Sequence, residues 1–270
     1  MEKFDSQKHF NLTGHLPFSY YSLPLYLDYC AYLLPRNNEM VIVAQDLYYP
    51  HEFPALFLPQ NPANWQNFSV TFATLADIKK IKQQNIEIIL QKPVGTEYFY
   101  RTEDLLHPDR KIAQRIRQFN KLYQYKVLDS YPADKIRQFY LAWKNQKERP
   151  GDLFDEAERI FFFCLENLPK YDIKQVYVEV EGRLAGLAWG VAHPDGGWVG
   201  LHLKTDYRFK GLSRFLHQKR AELFADREYL ALSTGEKDPG ITQFKKELGP
   251  AEERDYYYVL TGGKTNTVGK

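Results

Sequence analysis

Trp198-Val199-Gly200-Leu201-His202-Leu203-Lys204-Thr205-Asp206-Tyr207-Arg208-Phe209-Lys210-Gly211-Leu212-Ser213 is the stretch on which the fold of this chain turns. Val199, Leu201 and Leu203 fall on one face of a strand, with Trp198, His202 and Lys204 on the other. One face belongs in a core and the other lines a site. From Leu212 onward, Leu212, Phe215, Leu216 and Leu223 keep helical spacing, so the turn between strand and apolar run opens a helix. The first N–H groups of a helix have no internal acceptor, and the helix dipole adds partial positive charge there. Gly211 would let an anion approach the backbone closely, and Arg208 and Lys210 add charge. Arg208, Phe209, Lys210, Gly211, Leu212 and Ser213 therefore form a candidate anion loop.

The same spacing of Arg and Gly occurs at Arg183, Gly186 and Ala188, but that match lies inside a run, 183–192, that reads as one strand with no helix after it. Its amides would be used by a sheet ladder. Context selects the later match.

Upstream, Val176, Val178 and Val180 alternate with Tyr177, Glu179 and Glu181, and Glu181-Gly182 turns the chain back as a hairpin. In the returning strand Gly186, Ala188 and Gly190 leave one face mostly small, which permits close packing or the approach of a thin ligand. Before the hairpin, helices are expected from Tyr131 to about Lys147 and over roughly 154–168, joined by a loop at Glu148–Asp152. Downstream, a strand at 229–234, a turn at 235–240, a short helix at 241–248 stopped by Gly249-Pro250, and a strand at 254–260 complete the region. Lys219 falls in the apolar stripe of its helix, which implies a snorkelling side chain.

The segment 109–126 is the most basic. Ile112, Ile116, Phe119 and Tyr123 give it one apolar helical face, while Lys111, Arg115, Arg117 and Lys121 occupy much of the remainder. It reads either as a solvated helix connecting two domains or as an electrostatic guide for a phosphate-bearing substrate, tRNA included. In the first 36 residues, Pro17, Pro24 and Pro35 cut aromatic sequence into short helices or turns. Strands at 40–45, 86–90 and 97–101 and a helix at 75–84 capped by Thr74 make that half mixed α/β, with no chemistry motif.

With 270 residues, two domains of ordinary size are expected. A net charge of +2 is too balanced to mark a nucleic-acid binder by itself. Two cysteines, Cys30 and Cys164, lie among apolar residues and read as buried reduced thiols. The start of the chain has neither the basic end nor the apolar core of a signal peptide, and no apolar run is long enough for a bilayer, so a soluble cytoplasmic protein is expected. No metal-ligand spacing is present.

Arg208, Gly211 and Ser213 between strand and helix resemble the pyrophosphate loop of the GNAT superfamily of N-acyltransferases, with Ser213 in place of the usual small last residue. The element order over about 130–260 is similar to the GNAT fold. A narrower resemblance rests on 96–106, the basic helix, Lys204-Thr205-Asp206 and 240–250, which look like free-standing relatives of the phosphatidylglycerol lysyltransferase C-terminal domain. It implies a mixed α/β, tandem GNAT-like chain with mostly antiparallel central sheets flanked by helices. The divisions would be a degenerate N-terminal copy at 1–108, the connecting helix at 109–126, a C-terminal copy at 127–262 and a flexible tail at 263–270. Phe244-Lys245-Lys246 to Gly249 also resembles the Fem-type aminoacyltransferases, which implies that Lys245 polarises the reacting carbonyl. Where the closer family often has an acidic residue before its lysine, this chain has Leu203.

Acyl transfer to an amine needs a base, donors for the oxyanion and an acid for the leaving group. The candidates are His202 as base, Lys204 with Asp206 beyond it, Lys245 as oxyanion donor, and Tyr256 or Tyr257 as acid. Packing explains each of them equally well: a hydrogen-bonded histidine, a solvated helix lysine, a strand of three tyrosines. Three functions follow. They are an N-acyltransferase using acyl-coenzyme A with a small-molecule or peptide amine as acceptor, an aminoacyltransferase drawing on aminoacyl-tRNA, and a non-catalytic GNAT-like binding module. The acceptor, the acyl group and the oligomeric state are not written in the sequence.

Overall fold

The computed structural model describes residues 1–45, 52–146, 152–234 and 239–264. The expected loop at 148–152 and turn at 235–240 lie largely outside the described residues, as does most of the expected tail. In chain order the elements are β1 (Glu2–Lys3), α1 (Pro24–Cys30), β2 (Ala31–Arg36), β3 (Glu39–Ala44), β4 (Ser69–Ala73), α2 (Leu75–Gln83), β5 (Ile86–Arg101), α3 (Thr102–Leu106), α4 (Arg110–Leu122) and β6 (Tyr125–Leu128). They continue as α5 (Ala133–Asn145), α6 (Asp152–Glu166), β7 (Lys174–Val180), β8 (Arg183–Ala192), β9 (Trp198–Thr205), α7 (Leu212–Glu222), β10 (Tyr229–Leu232), α8 (Pro239–Glu247) and β11 (Glu252–Lys264). Short 3-10 turns lie at Phe10–Leu12, Tyr20–Ser22 and Pro62–Trp65.

The chain divides into two compact units, one of Met1–Tyr98, Ser233–Lys245 and Glu252–Lys270, the other of Phe99–Leu232 and Lys246–Ala251. This differs from the expected break near residue 108. The reason is β11, whose Tyr257, Val259 and Leu260 pair antiparallel with Ala73, Val70 and Ser69 of β4 and so return the C-terminal strand to the first unit.

In the first unit β1, β2 and β3 form an antiparallel sheet, and β4, β11 and β5 lie side by side in that order. The N-terminal segment has helical pieces, with Pro24 at the first turn of α1 where a missing N–H costs nothing. Residues 31–36, expected as more of the same, are instead strand β2. It pairs with β3 from Ala31↔Ala44 to Arg36↔Glu39 through Asn37-Asn38, both at positive φ, the hairpin turn that asparagine tolerates. The two strands expected at 86–90 and 97–101 are one continuous strand, β5. Pro93 is exposed within it, where no ladder N–H is needed. Thr74 and Asp77 close a capping box at the start of α2, whose Ile78 and Ile81 join a core with Val43, Trp65, Val70 and Val259.

In the second unit the strand order is β10-β9-β8-β7-β6. β9 and β10 are parallel and the others antiparallel. The hairpin between β7 and β8 turns at Glu181 and Gly182, both at positive φ, as its sequence predicts. The small face of β8 is filled by α7 and the residues after it. A Cβ at Gly186 would lie 2.7 Å from Leu216, and one at Gly190 would lie 2.8 Å from Phe224. On the opposite face Trp189 stacks on Phe161 of α6, with centroids 4.8 Å apart. The basic helix α4 is no free linker. Ile112, Ile116 and Phe119 are buried, and Phe119 meets Phe215 of α7 at 5.0 Å.

Candidate functional site

The strand-to-helix junction is built as its sequence predicts and then used differently. β9 pairs with β10 over three residues, Trp198 to Gly200, where β10 ends at Leu232, and continues along β8 to Thr205. Between β8 and β9 the register slips: Ala188 faces Leu203 but Gly190 faces Gly200. Such a bulge puts two residues opposite one and reverses which side the next residues face. Trp198 therefore stacks on Phe224 at 4.6 Å, whereas His202 stands edge-on to Trp189 and Phe161 at 5.6 and 5.1 Å. The strict alternation read from the sequence placed Trp198 and His202 together; the bulge separates them.

The carbonyls at the bulge are met by a residue the sequence did not single out. Arg220 of α7, almost wholly buried, donates from Nη1 to Trp189 O at 3.0 Å and to His202 O at 3.5 Å. Its Nη2 lies 3.3 Å from His217 Nε2, which must accept because a guanidinium only donates. Gly200 makes this approach possible, since a Cβ there would lie 2.8 Å from Nη2. Burial pulls the guanidinium down to about 9. A Leu212, Leu216, Arg220 spacing of four is the signal that identifies it. Lys219 is half-buried, with Nζ 5.7 Å from the Phe215 ring centroid and 2.8 Å from Glu222 at the rim, as a snorkelling side chain would be.

At the turn, Gly211 is the N-cap of α7 with φ +88°, a left-handed conformation that favours glycine. Its free face is occupied: a Cβ would lie 2.3 Å from the Arg115 carbonyl oxygen and 3.2 Å from Phe119 Cβ of α4. The close approach that this glycine was expected to offer a phosphate is taken by the backbone of α4. Arg208 is exposed, and its guanidinium is held by Asp206, with Nε 3.1 and 3.0 Å from the two carboxylate oxygens. That pairing holds the buried Asp206 carboxyl below the usual range. Phe209 packs edge-on against Tyr123 at 5.2 Å, Leu212 is buried, Ser213 is half-buried and Lys210 is exposed.

His202 is buried in its aromatic box, and that burial, with Lys204 and Arg220 nearby, keeps its imidazole well below the ordinary histidine range and hence neutral. Among the described residues its Nε2 has no hydrogen-bond partner. Lys204 is half-buried with Nζ 4.2 Å from the centroid of Trp143. His202 and Lys204 thus share the α5–α6 side of the sheet, with Asp206 turned to the loop.

Lys245, Tyr256 and Tyr257 belong to the first unit. Lys245 is buried, donates to the backbone carbonyl of Ser233, and sits 5.6 Å from the Tyr98 ring centroid. Tyr256 and Tyr257 face opposite ways. Tyr257 packs on the apolar core beneath α2, while Tyr256 donates its hydroxyl to Glu97 at 2.9 Å. Glu97 is fully buried and also accepts from Ser19 Oγ and Tyr20 N, each at 2.8 Å. Burial raises its carboxyl above the usual value despite those donors, and it raises the Tyr256 phenol as well. Glu97 belongs to no chemistry motif in the sequence. The signal was a lone acid between Thr96 and the aromatic run Tyr98-Phe99-Tyr100.

No family model matches the sequence, and no curated protein matches it. Solved structures do match. A conserved protein of Bacteroides thetaiotaomicron whose function is not known gives a TM-score of 0.71 at 12% identity over 85% of each chain. L-PGS from Bacillus licheniformis gives 0.64 at 12% identity over 99% of this chain and 94% of its own. The C-terminal domain of a protein assigned as a lysylphosphatidylglycerol synthetase in Agrobacterium fabrum gives 0.60 at 10% identity over 87% and 84%. This chain shares the mixed α/β fold of those structures. At such identity the likeness is one of fold, and it agrees with the resemblance carried by Lys204-Thr205-Asp206 and 240–250.

Among the described residues no group of His, Cys, Asp and Glu is placed to hold a metal ion, and no helix is long and apolar enough to cross a membrane. Cys164 is buried, and its thiol is pushed up to about 12; Cys30 is half-buried.

Proposed function

We propose that this protein is an aminoacyltransferase that takes its aminoacyl group from tRNA. The observation that carries this is the contact of α4 with the anion loop. The helix that covers Gly211 is the same helix that presents Lys111, Arg115, Arg117 and Lys121 to solvent, so phosphate-binding charge lies on its outer face. The likeness in fold to a protein named as a lysylphosphatidylglycerol synthetase, whose name implies a lysyl group placed on a lipid, supports the same class of reaction.

In this scheme the acceptor nucleophile attacks the ester carbonyl, the bond from that carbon to the ribose oxygen breaks, and the carbonyl oxygen carries developing negative charge. Lys204 is the proposed electrostatic support on β9. A neutral, buried His202 suits a positioning role better than that of a base titrating near neutrality.

The second reading, an N-acyltransferase using acyl-coenzyme A and an amine acceptor, is favoured by the exposed Arg208 and Lys210 just before the N-terminus of α7. One measurement separates the two. Melting temperature is followed with coenzyme A or with deacylated tRNA, since a ligand that binds the folded state raises it. A shift with tRNA, lost in an Arg115→Glu, Lys121→Glu variant, supports the aminoacyltransferase. A shift with coenzyme A alone, lost on Arg208→Ala, supports the second reading, and no shift with either supports a non-catalytic module.

A further inference from the structure

The anion loop and α4 are locked together. Gly211 meets the Arg115 carbonyl, Phe209 packs on Tyr123, and the Tyr123 hydroxyl reaches Arg208 O at 3.4 Å. Their exposed side chains therefore belong to one continuous surface of the second unit. Its charge is one-sided: α4 reads Arg-Lys-Ile-Ala-Gln-Arg-Ile-Arg-Gln-Phe-Asn-Lys-Leu, with five cations and no acid. Among the described residues no carboxylate pairs with Arg115, Arg117 or Lys121. A plain solvated helix face would be polar throughout. Here two large side chains stand out among the cations, Leu122 and Tyr207, each 55% exposed. Tyr207 is an exposed aromatic residue of the loop, between the buried Asp206 and the exposed Arg208.

Cations that follow a phosphate backbone, together with an exposed aromatic ring able to stack on a base, are what a single strand of nucleic acid requires; a duplex hides its base faces and uses the charge alone. We propose that the α4–loop surface binds the unpaired 3′ end of the donor tRNA, with Tyr207 stacking on a base and Arg115, Lys121 and Lys210 on the neighbouring phosphates. This rests on the aminoacyltransferase reading and adds to it the part of the RNA that is gripped.

The test is fluorescence anisotropy with three labelled probes: deacylated tRNA, the same tRNA shortened by its unpaired 3′ residues, and a blunt RNA duplex. Wild type is expected to bind full tRNA roughly ten-fold more tightly than the shortened one, Tyr207→Ala to lose that difference, and Tyr207→Phe to keep it. Arg117→Glu with Lys121→Glu is expected to weaken all three probes and to lower the salt slope by roughly two. Equal binding of full and shortened tRNA by wild type, or full affinity in Tyr207→Ala, overturns the stacking proposal while leaving tRNA as donor. No tRNA binding at low salt overturns both. Tyr207 is exposed, so an unchanged melting temperature in its variants guards against a folding artefact.

Discussion

Gly211→Ala tests the structural contact that carries the aminoacyltransferase reading. Two costs are expected. A left-handed conformation in a residue with a Cβ costs about 1–2 kcal/mol. The new methyl would also lie 2.3 Å from the Arg115 carbonyl oxygen, well inside van der Waals contact, and that oxygen belongs to the backbone of a packed helix, which cannot rotate away. Overpacking of that kind adds about 1–3 kcal/mol. Gly182→Ala is the control. It has φ +74° against +88°, lies in the same unit, and has nothing within 4 Å of its ideal Cβ, so it carries the first cost without the second. Urea unfolding followed by tryptophan fluorescence reads mainly this unit, which holds Trp143, Trp189 and Trp198. Gly211→Ala is expected to lose about 1–3 kcal/mol more than Gly182→Ala. Losses equal to within about half a kcal/mol would mean that α4 does not close on the loop, and the Gly211 face would again be open to a phosphate.

Glu97→Ala strips the acceptor from three buried donors, Ser19, Tyr20 N and Tyr256, and is expected to cost about 3 kcal/mol, with Glu97→Gln milder. Because burial raises the Glu97 carboxyl, its contribution is fully present below the ordinary glutamate value and is lost as pH rises through the folded value; Glu97→Gln should flatten that part of a stability–pH curve. His202 has the opposite sign. Its depressed imidazole makes the unfolded state bind the extra proton, so stability falls as pH drops below about 6.5, and His202→Phe should remove that slope in urea melts. Arg220→Met leaves the Trp189 and His202 carbonyls at the bulge without their donor and is expected to cost about 3 kcal/mol, with faster amide exchange in β9 and no rescue by Arg220→Lys, which cannot span both.

Local periodicity and turn chemistry determined much of this protein from sequence alone. The alternation at 176–180, the Glu181-Gly182 turn, the N-cap at Thr74, the unbroken run at 183–192 and the opening of a helix after Gly211 are all decided by residues near one another in the chain, and each stands as read. Tertiary structure decided what those elements face. Nothing near residue 200 in sequence announces that β8 and β9 slip by one residue and turn His202 away from Trp198, because a bulge depends on the partner strand and on Arg220 arriving from α7. Likewise α4 carries its apolar stripe whether it spans two domains or packs on α7, and only the meeting of Phe119 with Phe215 and of Arg115 with Gly211 decides between them. The return of β11 to β4, which redraws the division of the chain, is a pairing between residues far apart in sequence, and its energy comes from contacts that no local window contains.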